Sequence, residues 1–177
     1  RRPKILDLYI LTSEMYLDIA WSKVLSKPTI NIMNHKVVAA NSAVLLHKSY
    51  EIRQRVFVNE QDVPEAIVHE DAESLAHYFV AVDEEGNALG TARWRKTSQG
   101  VKLERFAVLP IYRNKGLGAD LLRSILVDIK SKFGSGVLVY LNAQLEAINL
   151  YAHQGFLPVG PRFIEADIMH QRMSQTT

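Results

Sequence analysis

The sequence predicts an α/β domain, a mixed and mainly antiparallel sheet flanked by helices, on three observations. Two β-rich runs, His77 to Asp83 and Ala88 to Lys96, are separated by Glu84, Glu85, Gly86 and Asn87, a hairpin signature. A third, Val101 to Leu109, follows the Ser98, Gln99, Gly100 turn and ends at Pro110, which has no N–H to give to a sheet ladder. Beyond it a turn of Arg113, Asn114, Lys115, Gly116, Leu117 and Gly118 opens a helical stripe of Leu117, Leu121, Leu122, Ile125, Leu126, Ile129 and Phe133.

Length and composition set the outer bounds. A chain of 177 residues has room for one full core, and 47% hydrophobic with 23% charged residues is ordinary for a soluble globular protein. Apolar runs fall short of the ~20 residues of a membrane span. The absence of cysteine excludes disulfides, thiolate metal sites and a cysteine nucleophile, and leans towards the cytoplasm. A net charge of +2 gives no argument for nucleic acid. The charges are unevenly spread: Val56 to Ala92 holds Glu60, Asp62, Glu65, Glu70, Asp71, Glu73, Asp83, Glu84 and Glu85 without Lys or Arg, whereas Arg93 to Lys132 is predominantly basic. Either the basic half serves an anionic ligand and the acidic half a cationic substrate, or both are solvated faces.

Taken in order, residues 1–32 read as an N-terminal extension, upstream, processed or a cloning remnant, with Met33 a candidate start and 33–177 a single domain. Ser13 to Ser26 predicts a short helix capped by Ser13. Lys36 to Ala40 predicts a first strand, and Asn41 the cap of a helix running to about Phe57. Asn59 to Ser74 is turn-rich and acidic, a loop or a loop with a broken turn of helix. After the long helix, Gly134 and Gly136 break the pattern before a strand from Val137 to Asn142, a helix from Leu145 to Phe156, and a final pair near Leu157 to Val159 and Glu165 to Gln171.

The strand, basic glycine turn and helix make an anion cradle. The first turn of a helix carries backbone N–H groups without intrahelical partners and the positive end of the dipole. Gly116 and Gly118 allow close approach, and Arg113 and Lys115 add full charges. The Walker pattern fails for want of Lys-Ser/Thr, and the dinucleotide fingerprint fails at Leu121.

Arg113 to Gly118, after the strand ending Ala107, Val108, Leu109, Pro110, resembles instead the Arg/Gln-x-x-Gly-x-Gly/Ala signature of the GNAT superfamily of N-acetyltransferases. Val137 to Asn142 and Leu145 to Phe156, with Asn149, Tyr151, Gly155 and Phe156 in the usual order, resemble its next strand and helix. Arg53 to Gln61, RQRVFVNEQ, together with His77, resembles the ElaA-like branch.

The resemblance implies a sheet splayed at its centre, between the strand ending at Leu109 and the Val137 strand, to admit acetyl-CoA as co-substrate. The implied activity is direct acetyl transfer, without metal, to a primary amine of a small molecule or peptide. It implies that Arg113, Asn114, Lys115, Gly116, Leu117, Gly118 and Ala119 hold the pyrophosphate. The main chain of Phe106, Ala107 and Val108 would hold the pantetheine arm, with the Val108 N–H towards the thioester oxygen. Asn142 and Asn149 would contact cofactor or bound water, or cap local backbone. Tyr151 takes the place of the general acid; a phenol near 10 and a thiol near 8.5 differ by ~1.5 units, about 2 kcal/mol. The other reading of Tyr151 is packing. Glu104 is the candidate base, because strand alternation puts it on the face of Phe106 and Val108, where a raised pKa would suit proton transfer. Glu60, Glu70, Asp71 and His77 are alternatives, and pairing of Glu104 with an arginine is the structural one.

The histidines form no metal-binding spacing; His69, beside Glu70 and Asp71, is the one to re-examine. No nucleic-acid or membrane partner is implied, and homodimerisation is left open. Two other readings of the cradle are an acyl-CoA-sensing module without turnover and a nucleotide-phosphate domain.

Overall fold

Strand β1 (His35–Ala39) leads to helix α1 (Ala43–Arg53), which starts at Ser42, where the hydroxyl accepts from the Leu45 amide at 3.3 Å. The cap therefore falls one place after Asn41. In this computed structural model the described residues are 34–68 and 75–177. The Ser13 to Ser26 helix and His69, Glu70 and Asp71 lie outside them. A π-helical turn, Gln54–Val58, prolongs α1, and helix α2 (Glu65–Val68) lies within the acidic segment.

Strands β2 (Ala76–Asp83) and β3 (Ala88–Thr97) form the expected hairpin. Asp83 closes it by accepting from the Asn87 amide at 2.6 Å and its side chain at 2.9 Å. Strand β4 (Gly100–Val108) ends before Pro110 and leads into helix α3 (Leu117–Phe133). Strand β5 (Leu138–Gln144), helix α4 (Ile148–Ala152), and strands β6 (Leu157–Pro158), β7 (Phe163–Glu165) and β8 (Ile168–Thr176) complete the domain.

Among the described residues eight strands form one sheet, in the order β1-β2-β3-β4-β5-β8-β6, with β7 on β8. The β4–β5 pair is parallel and the others antiparallel. β4 and β5 pair at Val101 with Val139 and Lys102 with Tyr140, then part. This is the expected mixed sheet, open at its centre.

One face packs under α3, whose Leu117, Leu121, Leu122, Ile125 and Ile129 meet Phe79, Ala92, Trp94, Val101 and Leu103. On the other, Ile52 of α1 and Val56 of the π turn cover Ala107 and Leu109.

β4 changes face halfway along. Thr91 pairs with Ala107 and Arg93 with Glu104, so Arg105 and Phe106 together oppose Ala92, with Arg105 at φ +57°. This β-bulge inverts the alternation. Val101 and Leu103 point to α3, whereas Ala107 and Leu109 point to α1, leaving Phe106 and Val108 on the α3 side. Glu104, before the bulge, is therefore on the opposite face from Phe106 and Val108, which corrects the expectation drawn from unbroken alternation.

Candidate active site

The opening between β4 and β5 holds a cavity of about 280 Å³. Phe57, Gln61 and α2 border one side, Arg95 and Lys102 to Phe106 the sheet side, and Asn142, Gln144, Tyr151 and the β7–β8 hairpin the remainder. Residues 113–119 do not line it. They lie at the far end of β4, beyond the Pro110–Tyr112 turn.

Tyr151, from α4, reaches the cavity and is 5% exposed. Its ring stands edge-on to Phe106 at 5.7 Å and to Phe156 at 6.1 Å. Burial pushes its phenol above the ordinary value, so giving up the proton costs more than the ~2 kcal/mol of unperturbed groups.

Glu104 also borders the cavity, but three cations hold it: Arg93 at 2.9 Å, Arg95 at 3.0 Å and Lys102 at 2.9 Å. Burial pushes its carboxyl up. Hydrogen bonds from Arg95 and Lys102 and the charges of Lys102 and Arg93 outweigh this, and the pKa is lowered to about 2. The expected raised pKa is corrected: at pH 7 this carboxylate has little affinity for a proton. Arg93 is anchored in turn by donating to the Tyr78 hydroxyl at 2.8 Å.

Of the other base candidates, the two among the described residues, Glu60 and His77, are committed elsewhere. Glu60 accepts both terminal nitrogens of Arg113 at 2.6 Å, and this hydrogen bonding holds its carboxyl below the usual range. His77 stacks on Trp94 at 4.0 Å and does not line the cavity.

At the cradle, Asn114 and Gly116 take left-handed conformations, φ +58° and +87°, and no side chain among the described residues caps Gly116. A Cβ at Gly118 would lie 3.2 Å from Leu150. The open first turn of α3 and the close backbone fit a diphosphate. Arg113 is not the free cation expected there. Besides Glu60, its Nε donates to the Val108 carbonyl at 2.9 Å, tying the cradle to the end of β4. Lys115 lies 5.9 Å from the Tyr112 ring. The Leu117 side chain is buried in the core under α3. Asp120, in the same turn, is held by His35 at 2.9 Å and by Arg123.

Asn142 borders the cavity and donates to Glu165 at 2.9 Å. Asn149 is in α4, its carbonyl accepting the His153 amide at 3.1 Å. Two wall residues carried no signal in the sequence: Arg105, whose place comes from the bulge, and His170, a lone histidine in a strand. Strand alternation alone does not distinguish His170 from a packed core residue. Among the described residues no group of three or more His, Cys, Asp or Glu side chains is arranged to hold a metal, and no helix is long and apolar enough to cross a membrane.

An open mixed sheet with an anion cradle after its central strand defines an acyl-CoA transferase architecture. Residues 37–177 match the family model described as an acetyltransferase (GNAT) domain. The chain is 31% identical over 139 residues to the uncharacterized N-acetyltransferase YjcF of Bacillus subtilis, covering 78% of this chain and 97% of that protein. It is 32% identical over 133 residues to YyaT of the same organism, covering 73% and 88%. Escherichia coli ElaA superposes with a TM-score of 0.69 at 25% identity, over 80% of this chain and 99% of ElaA. An acyl-CoA N-acyltransferase from Pseudomonas aeruginosa shares the fold, with a TM-score of 0.66 at 24% identity over 80% and 98%. The chain belongs to the GNAT acetyltransferase family, whose co-substrate is acetyl-CoA.

Proposed function

We propose that this protein is an N-acetyltransferase that moves the acetyl group of acetyl-CoA directly to a primary amine of a small molecule or peptide. The observation that carries the reading is the course of β4. Its bulge borders the cavity beside Tyr151, and its far end runs into the uncapped cradle before α3. One strand thus serves both halves of a thioester substrate.

In this reading the main chain from Asn114 to Ala119, with Lys115, grips the diphosphate. The main chain of Phe106, Ala107 and Val108 aligns the arm, and Tyr151 supplies the proton for the departing thiolate. Arg113 holds the cradle in shape through Glu60 and Val108. Asn142 and Asn149 contact the coenzyme or water near it. Glu104 organises the cations of the wall instead of accepting protons. The catalytic domain is 33–177, with 1–32 an extension, and the protein works in the cytoplasm as a monomer or homodimer.

Calorimetry with acetyl-CoA, run beside a mass-spectrometric screen of amino acids, polyamines and peptide N-termini, tests this. Binding together with an acetylated amine is the expected result. Binding without product from any amine favours an acyl-CoA sensor, and displacement of CoA by ATP favours a nucleotide site. No heat of association at millimolar coenzyme would end the proposal.

A further inference from the structure

We propose that His170 is the general base of this site, its Nε2 taking the proton from the incoming ammonium group. The inference rests on the transferase reading above. β8 lies between β5 and β7, with His170 opposite Gln144 on one side and Phe163 on the other. His170 is 8% exposed and borders the same cavity as Tyr151.

Two contacts set its state. Nδ1 lies 2.8 Å from the Ile168 carbonyl oxygen, which can only accept, so Nδ1 carries the hydrogen. In the neutral ring Nε2 then holds the lone pair. Phe163 stacks on the ring at 6.0 Å with an interplanar angle of 22°, limiting its rotation. Tautomer and orientation are thus held by groups that take no part in the chemistry, as with other positioned bases.

The charged and titratable groups that share the cavity are Arg95, Lys102, Arg105, Glu104, Glu165 and Tyr151. Glu104 is held by three cations, and Glu165 is engaged by Asn142.

The proton balance closes. His170 removes one proton from R–NH3+, and the amine lone pair forms the C–N bond as the C–S bond breaks. Tyr151 protonates the thiolate and recovers the remaining excess proton from nitrogen. Imidazolium then returns its proton to solvent. The products are amide, thiol and one released proton.

The test compares the native protein with His170→Gln and His170→Asn, whose amide nitrogens can still donate to the Ile168 carbonyl. The probes are acetyl-CoA and whichever amine in the screen is turned over fastest by the native protein. Both variants should keep the melting temperature and acetyl-CoA affinity but lose about 100-fold in turnover at pH 7. The deficit should shrink as pH rises towards the pKa of the amine, because free amine no longer needs a base. Equal turnover, or a deficit constant with pH, would overturn the proposal. Bound coenzyme with no product from any amine overturns it together with the transferase reading, whereas missing coenzyme binding fails the cradle itself.

Discussion

Tyr151 is held edge-on between Phe106 and Phe156, so its ring has a packing role whether or not its hydroxyl takes part in chemistry. Replacing it with Phe keeps the ring and removes the proton donor. Tyr151→Phe should lower turnover by about 100-fold and leave the calorimetric affinity for acetyl-CoA near normal. Unchanged turnover would leave Tyr151 a packing residue. Because burial pushes the phenol up, it stays protonated throughout the working range, so no basic limb of the rate profile belongs to it. Glu104 makes the opposite prediction. Its folded pKa is depressed from 4.5 to about 2, so its stabilisation is present above pH 4.5 and is lost as pH falls towards 2. The shift corresponds to on the order of 3 kcal/mol. Glu104→Gln leaves three cations without their carboxylate, and should be less stable at pH 7 by ~3–5 kcal/mol while losing less on acidification. Acid unfolding of both proteins followed by circular dichroism reads this directly; parallel curves would refute it.

At the scale of elements, the end of β4 depends on a glycine across the ladder. Gly90 pairs with Val108, and a Cβ there would lie 2.9 Å from the Ala107 carbonyl oxygen and 3.2 Å from Val108 Cγ2. Gly90→Ala must push β4 away beside the stretch assigned to the pantetheine arm. It should cost ~1–3 kcal/mol in chemical denaturation and weaken acetyl-CoA binding about tenfold, equivalent to ~1.4 kcal/mol. Affinity equal to that of the native protein would detach this stretch from the coenzyme. The hairpin, α3 and the turn that leads into it were legible in the sequence because each is written locally, in turn residues and in a 3.6-residue period. The helix cap was misplaced by one residue because Asn41 and Ser42 are both good caps. The bulge was not legible: it is a matter of register between Ala92 and residues of another strand. Nor was the Glu60–Arg113 pair; for Glu104 an arginine partner was one of the two readings, but not the cage of three cations, since each depends on side chains that meet only after the sheet has formed. His170 likewise acquires its tautomer from the Ile168 carbonyl at the start of its own strand and its orientation from a cross-strand ring.

Across the whole molecule, the charge asymmetry of the sequence resolves partly into internal pairs, with Glu60 on Arg113 and Asp120 on Arg123, so neither half presents its full charge to a ligand. The sheet, meanwhile, leaves β4 and β5 paired at two positions before they part. Such an opening forgoes ladder hydrogen bonds that a closed sheet would make. A ligand whose arm lies along β4 as an added strand would supply some of them, and its diphosphate would satisfy amides of α3 that no side chain among the described residues caps. Coenzyme binding should therefore stabilise the native state by linkage, about 2.7 kcal/mol at a hundredfold excess over Kd. For a domain of this size that is an upward shift of the melting temperature of ~5–10 °C. The shift should follow the coenzyme concentration logarithmically and shrink in Gly116→Ala, because a side chain at φ +87° strains the turn that presents those amides. Differential scanning fluorimetry with CoA, and with dephosphorylated pantetheine as control, separates the two contributions. Pantetheine alone should give a small shift through β4, and a full shift from pantetheine would move the binding energy away from the cradle.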